Sequence, residues 1–207
     1  NGLISGNMTA INNNEIATTI INDGEIIGDT SYYTLYQESY LSDIIINNIN
    51  LTGSIHNNNN KANVYIKNGT IKSKIDAIVS QYGNVYIDNA NVQGSSALKN
   101  YSGNIIVNNG IFESASGSLI TQSSYNVGNI TINGGIFNTK GYIVNADYIN
   151  MTINGGTFSN LDSNNTVGFN VSNGGNLTIN NETVINSTGT SIYIYGTSKT
   201  DINIYFS

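Results

Sequence analysis

Nine residues, Asn129-Ile130-Thr131-Ile132-Asn133-Gly134-Gly135-Ile136-Phe137, return as Asn150-Met151-Thr152-Ile153-Asn154-Gly155-Gly156-Thr157-Phe158 and, more loosely, as Asn104 through Phe112. A chain made of near-copies of one short unit cannot bury the apolar side of each copy alone, so the copies must stack. Aligned on the last motif residue, the anchors are Ile4, Ile26, Leu51, Ile71, Val92, Phe112, Phe137, Phe158 and Val184. Their spacings are 22, 25, 20, 21, 20, 25, 21 and 26 residues. A final copy at 201–206 supplies a strand and stops before the next anchor.

Within each copy the apolar residues alternate with period two, the signature of half-buried strands. The pairs Thr19/Ile21, Ile44/Ile46, Val64/Ile66, Val85/Ile87, Ile105/Val107, Ile130/Ile132, Met151/Ile153, Leu177/Ile179 and Ile202/Ile204 are expected to face inward. After the anchor comes a polar stretch and then a second short apolar run, such as Ile78-Val79, Leu98, Ile120, Ile143-Val144, Phe169/Val171 and Ile192/Ile194. Each coil therefore reads as three short strands. Stacked about 4.8 Å apart, such coils share one continuous core. The fold class is all-β, and residues 1–207 form a single-stranded parallel β-helix of about nine coils of 20–26 residues. The lack of proline fits strands paired on both sides, which cannot spare an amide donor.

Composition narrows the function. Hydrophobic residues make up 39% and charged residues 10%, with a net charge of −6 from 13 acids against 7 lysines and no arginine. A chain without a basic face is poorly matched to nucleic acid or to anionic membranes. No apolar run reaches the roughly 18 residues of a membrane span. Cysteine is absent, excluding disulfides and thiolate metal sites. A surface rich in Asn, Ser, Thr and Tyr with few charges suits an extracellular or cell-surface location. The chain is expected to be a segment of a longer surface protein.

Stacking sets equivalent residues above one another. The Asn133 position reads Asn22, Asn47, Lys67, Asp88, Asn108, Asn133, Asn154 and Asn180, a corner column in which amides can hydrogen-bond along the axis. The outward Thr131 position reads Ile20, Ile45, Tyr65, Tyr86, Ile106, Thr131, Thr152, Thr178 and Asn203. An exposed apolar and aromatic row is not needed by the core; such patches mark interaction surfaces, although Tyr, Ile and Thr are also good strand formers. Loops carry the remaining candidates. An enlarged loop over residues 30–40 holds Tyr32, Tyr33, Tyr36 and Tyr40. Residues 56–61 read as a polar loop that leaves His56 solvated. Milder expansions span 114–127 and 160–176. Candidate ligand-binding residues are thus Tyr65, Tyr86 and Ile106 on the row and Tyr32, Tyr33 and Tyr36 in the loop.

Catalytic groups are sparse. Glycoside hydrolysis needs a converging carboxylate pair, and calcium needs several oxygens at one place. The nearest set is Asp23, Glu25 and Asp29 with Glu38. No catalytic residue, metal ligand or cofactor is assigned.

The repeats at 129–137 and 150–158 resemble the pectate-lyase-like right-handed parallel β-helix superfamily. They are similar in particular to non-enzymatic, adhesin-type surface proteins of clostridia and related Gram-positive bacteria. The resemblance extends over nearly the whole chain and implies right-handed winding. Its lyases hold calcium with an aspartate cluster and remove a proton with Arg or Lys; this chain has neither the arginine nor the cluster. The same coil carries many activities, so the expected role is adhesion by binding a polysaccharide or cell-surface glycan. The alternatives are a structural stalk making end-to-end or neighbouring-domain contacts, and a polysaccharide-degrading enzyme or phage tailspike fragment, with Asp23, Glu25 and Glu38 as its acids.

Overall fold

The alternation of β-branched residues resolves into strands of mostly 3–5 residues joined by sharp corners. In the computed structural model, residues 2–29, 31–115, 117–123, 128–160 and 168–206 are described. They form an all-β parallel solenoid of about eight turns, close to the nine coils expected, with no helix among them. Every inter-strand pairing is parallel and joins a strand to its equivalent one turn away, as in Ile44–Ile46 with Asn63–Ile66, and Asn84–Ile87 with Asn104–Val107. Three faces result. The first contains Ile44–Ile46 and Asn129–Ile132, the second Gly110–Ser114 and Ile136–Thr139, and the third Tyr33–Gln37, Ser54–Asn57 and Leu98–Asn100. Two long strands, Val144–Asn160 and Phe169–Asn186, run through all three faces in turn.

The core lies on the axis. From Ile44/Ile46 to Leu177/Ile179, both inward residues of every first-face strand are buried. At the terminal turns the pattern weakens: Thr19, Ile21 and Ile202 are half-buried and Ile204 is exposed. Phe112, Phe137 and Phe158 stack down the second face with ring centroids 4.7 and 4.4 Å apart and planes within 7°. The second glycine of the Gly-Gly-x-Phe signature sits where the backbone of the preceding coil comes close. Gly135 has φ 116°, and a Cβ there would lie 2.9 Å from the Gly110 carbonyl and 3.2 Å from the Phe137 ring. The equivalent corner also takes Gly24 and Gly69, at φ 139° and 127°, before the anchors Ile26 and Ile71, whereas Ile49 and Ala90 precede Leu51 and Val92.

Asparagine ladders run along the corners. Asn47 donates to Asn22, Asn108 to Asp88, Asn133 to Asn108, Asn154 to Asn133 and Asn180 to Asn154, at 2.6–2.8 Å. Lys67 interrupts the column, and the Asn47 Oδ1 is left without a partner. A second ladder, which the repeat alignment does not single out, runs from Asp43 to Asn150 at the start of the first-face strands. Asn63 bonds Asp43, Asn84 bonds Asn63, Asn104 bonds Asn84, Asn129 bonds Asn104, and Asn150 bonds Asn129. Inside the solenoid, buried Gln37, Asn57, Ser80 and Gln122 each donate to carbonyls of the turn that leads to the next coil. Of these carbonyls, those of Ala62 and Gly83 also accept the backbone amides of Asn84 and Asn104, so the side chains add a second bond where the chain turns.

Three expectations change. Val184 is not the anchor of its coil: a register shift after Ile153 pairs Phe158 with Ile185, so Val184 faces out at 50% exposure. The extra residue at that corner moves the inward position by one, and in a strand one residue reverses the face. Residues 33–37 are a strand rather than a loop, with a bulge at Thr34. His56 is not solvated: it sits in the strand Ser54–Asn57 at 7% exposure. The expansions at 114–127 and 160–176 lie partly outside the described residues.

Candidate functional site

Tyr65 and Tyr86 are outward residues of adjacent first-face strands, in exact register, with Ile45 before them and Ile106 and Thr131 after. Their rings stack at 4.9 Å with planes 8° apart. Each ring gives one face to the other and turns its second face toward an isoleucine of the row. What the pair offers to solvent is therefore its edges and hydroxyls rather than a flat aromatic platform. Burial first, then the Asp43 charge and Tyr86, raises the Tyr65 pKa.

The tyrosines of residues 32–36 sit elsewhere. Tyr32, 49% exposed, lies in the turn that enters the third face, where its carbonyl accepts from Ser54 Oγ. The bulge at Thr34 breaks the alternation, so Tyr33 and Tyr36 both emerge on the outer side while Leu35 stays buried. Both rings close over His56, at centroid distances of 4.1 and 5.2 Å and 64° to its plane. Neither His56 ring nitrogen has a hydrogen-bond partner. Burial, and then the nearby Lys99 charge, lowers the His56 pKa to about 4. The structure thus brings Tyr33 and Tyr36 together, brings Tyr65, Tyr86 and Ile106 together, and places the two groups on different faces.

The third face also holds residues that the repeat alignment passed over. Its outer column runs Tyr36, His56, Val79, Lys99, Thr121, Asn145. Lys99 Nζ lies 2.7 Å from Asp76 Oδ2 and 5.3 Å from the Tyr101 ring centroid. Burial would lower the Lys99 pKa, but the Asp76 and Tyr101 partners outweigh it and raise the pKa. Aligning the third strand as the first was aligned would have found this column.

The acids of the enzymatic alternative do not converge. Asp23 sits at a corner accepting from Asn48, Glu25 faces out from the second face, and Glu38 follows the third-face strand. Among the described residues there is no group of three or more His, Cys, Asp or Glu that could hold a metal ion. No helix of the described residues is long and apolar enough to cross a membrane. No protein-family model matches the chain, and no curated protein or solved structure is significantly similar to it.

Proposed function

We propose that the protein is a non-catalytic adhesion segment of a bacterial surface or secreted protein that binds glycan. On this reading it is a right-handed member of the pectate-lyase-like superfamily, related to the surface proteins of clostridia and their Gram-positive relatives. The observation that carries the proposal is the in-register Tyr65–Tyr86 stack on the first face. An extended polysaccharide lying along the axis meets equivalent groups on successive rungs, with paired phenol hydroxyls to hydrogen-bond its hydroxyls and the Ile45 and Ile106 flanks to cover its apolar edges. The dispersed carboxylates favour binding over cleavage. Native electrophoresis through gels containing plant, host and bacterial polysaccharides tests it. Retardation by a polymer that stays intact is expected; retardation with depolymerisation would instead indicate an enzyme.

A further inference from the structure

The third face carries a polar cleft of about 220 Å³ along its outer column, beyond the aromatic cover of His56. Its lining includes Lys99, Thr121, Asn145 and Asp147, contributed by successive turns. Each charged or amide group is held from behind by a neighbour. Asp76 fixes Lys99, Asn170 donates to the Asn145 Oδ1, and Ser172 and Asn173 donate to Asp147. Such groups keep bonding capacity toward the cleft: an ammonium has three donors, an amide two, and a carboxylate about four acceptor sites. Thr121 lines the cleft between them with its hydroxyl shielded from solvent.

The charges select among ligands. Asp76 neutralises Lys99, and Asp147 adds one further negative charge, so the cleft discourages anions. Donors and acceptors interleave over three rungs, roughly 10 Å at the strand spacing. The volume lies below the 300–1,000 Å³ of drug-sized pockets. A small, neutral molecule with hydroxyls on several sides matches this arrangement, and an acidic sugar does not.

We propose that this cleft is a subsite for one neutral pyranose residue, hydrogen-bonded by Lys99, Asn145 and Asp147. The inference rests on the glycan-binding reading but not on the Tyr65–Tyr86 stack, which occupies another face. The test is a titration of the isotope-labelled protein with the methyl glycosides of glucose, galactose and mannose, and with glucuronate, followed by amide chemical shifts. Saturable shifts at Thr121, Asn145 and Asp147 with a neutral glycoside, on the order of millimolar affinity, are expected. Asn145→Ala, at an exposed position, should weaken that binding roughly tenfold. The double variant Tyr65→Phe/Tyr86→Phe should leave it unchanged. Equal or tighter binding of glucuronate overturns the neutral selectivity. Silence at the cleft while polysaccharide still shifts the Tyr65–Tyr86 face overturns the subsite alone. Silence at both faces overturns the glycan-binding reading with it.

Discussion

The first and third faces hang on the same core yet differ in how their outer surfaces arise. On the first face, regular stacking alone produces the Tyr65–Tyr86 row, because each strand meets its equivalent in register. On the third face one extra residue at Thr34 redirects Tyr33, and the rings of Tyr33 and Tyr36 cover His56 although it occupies an outward position. A repeat therefore generates ladders freely, whereas a buried and chemically distinctive cluster requires a departure from the repeat.

The largest perturbation should strike both faces together. Phe137 lies between Phe112 and Phe158 in the stack, fully buried. Phe137→Ala should cost about 3–5 kcal/mol, as expected for a truncated core aromatic. Urea unfolding measures it, and a loss under about 1 kcal/mol would show that the faces do not depend on a common interior.

Acid should separate the faces. His56 is held neutral in the fold with its pKa near 4 against an ordinary value of 6.5. The unfolded chain takes up that proton first as pH falls. The neutral imidazole's stability advantage is complete above about pH 6.5, declines between 6.5 and 4, and levels off below, for a total of about 3 kcal/mol. His56→Phe should flatten that segment of the stability curve while keeping an aromatic ring beneath Tyr33. An unchanged slope in the variant would assign the acid sensitivity to other groups.

Next comes the chemistry of the first face. Hydroxyls rather than ring faces point outward from the tyrosine pair, so Tyr65→Phe should weaken binding of a retarding polysaccharide about tenfold, the worth of one or two hydrogen bonds. Calorimetric titration compares it with Tyr65→Ala. Full affinity in the phenylalanine variant would show that stacking, and not the hydroxyl, does the binding.

The smallest effect is at the border where the third face hands over to the first. Asn129 bonds Asn104 at 2.6 Å and accepts from Asn150 on an exposed corner. Asn129→Ala should cost about 0.5–1.5 kcal/mol and leave both faces in place, as thermal unfolding and amide shifts would register.

Much of the architecture was legible in the sequence because period-two alternation and a repeat of 20–26 residues leave few other folds. The Asn133 column, the Phe stack and the Tyr65–Tyr86–Ile106 row all follow from aligning anchors. Other features depend on single insertions that such an alignment absorbs silently. The additional residue before Glu182 moved the anchor from Val184 to Ile185, and the bulge at Thr34 turned an apparent loop into a strand. His56 followed from neither, since a lone histidine beside four asparagines reads as solvated until the third strands are placed in register with Tyr36 and Lys99. Gln37, Asn57 and Gln122 read as loop residues for a similar reason: their partners are backbone carbonyls, which leave no mark in the side-chain pattern.

The most direct measurement is the side-by-side migration of the wild-type protein and the Tyr65→Ala/Tyr86→Ala double variant through gels containing the polysaccharide panel. Retardation of the wild type by at least one intact polymer, lost in a double variant that remains folded, is expected if the first face binds glycan. Equal retardation of both proteins, or free migration of the wild type in every gel, would contradict it.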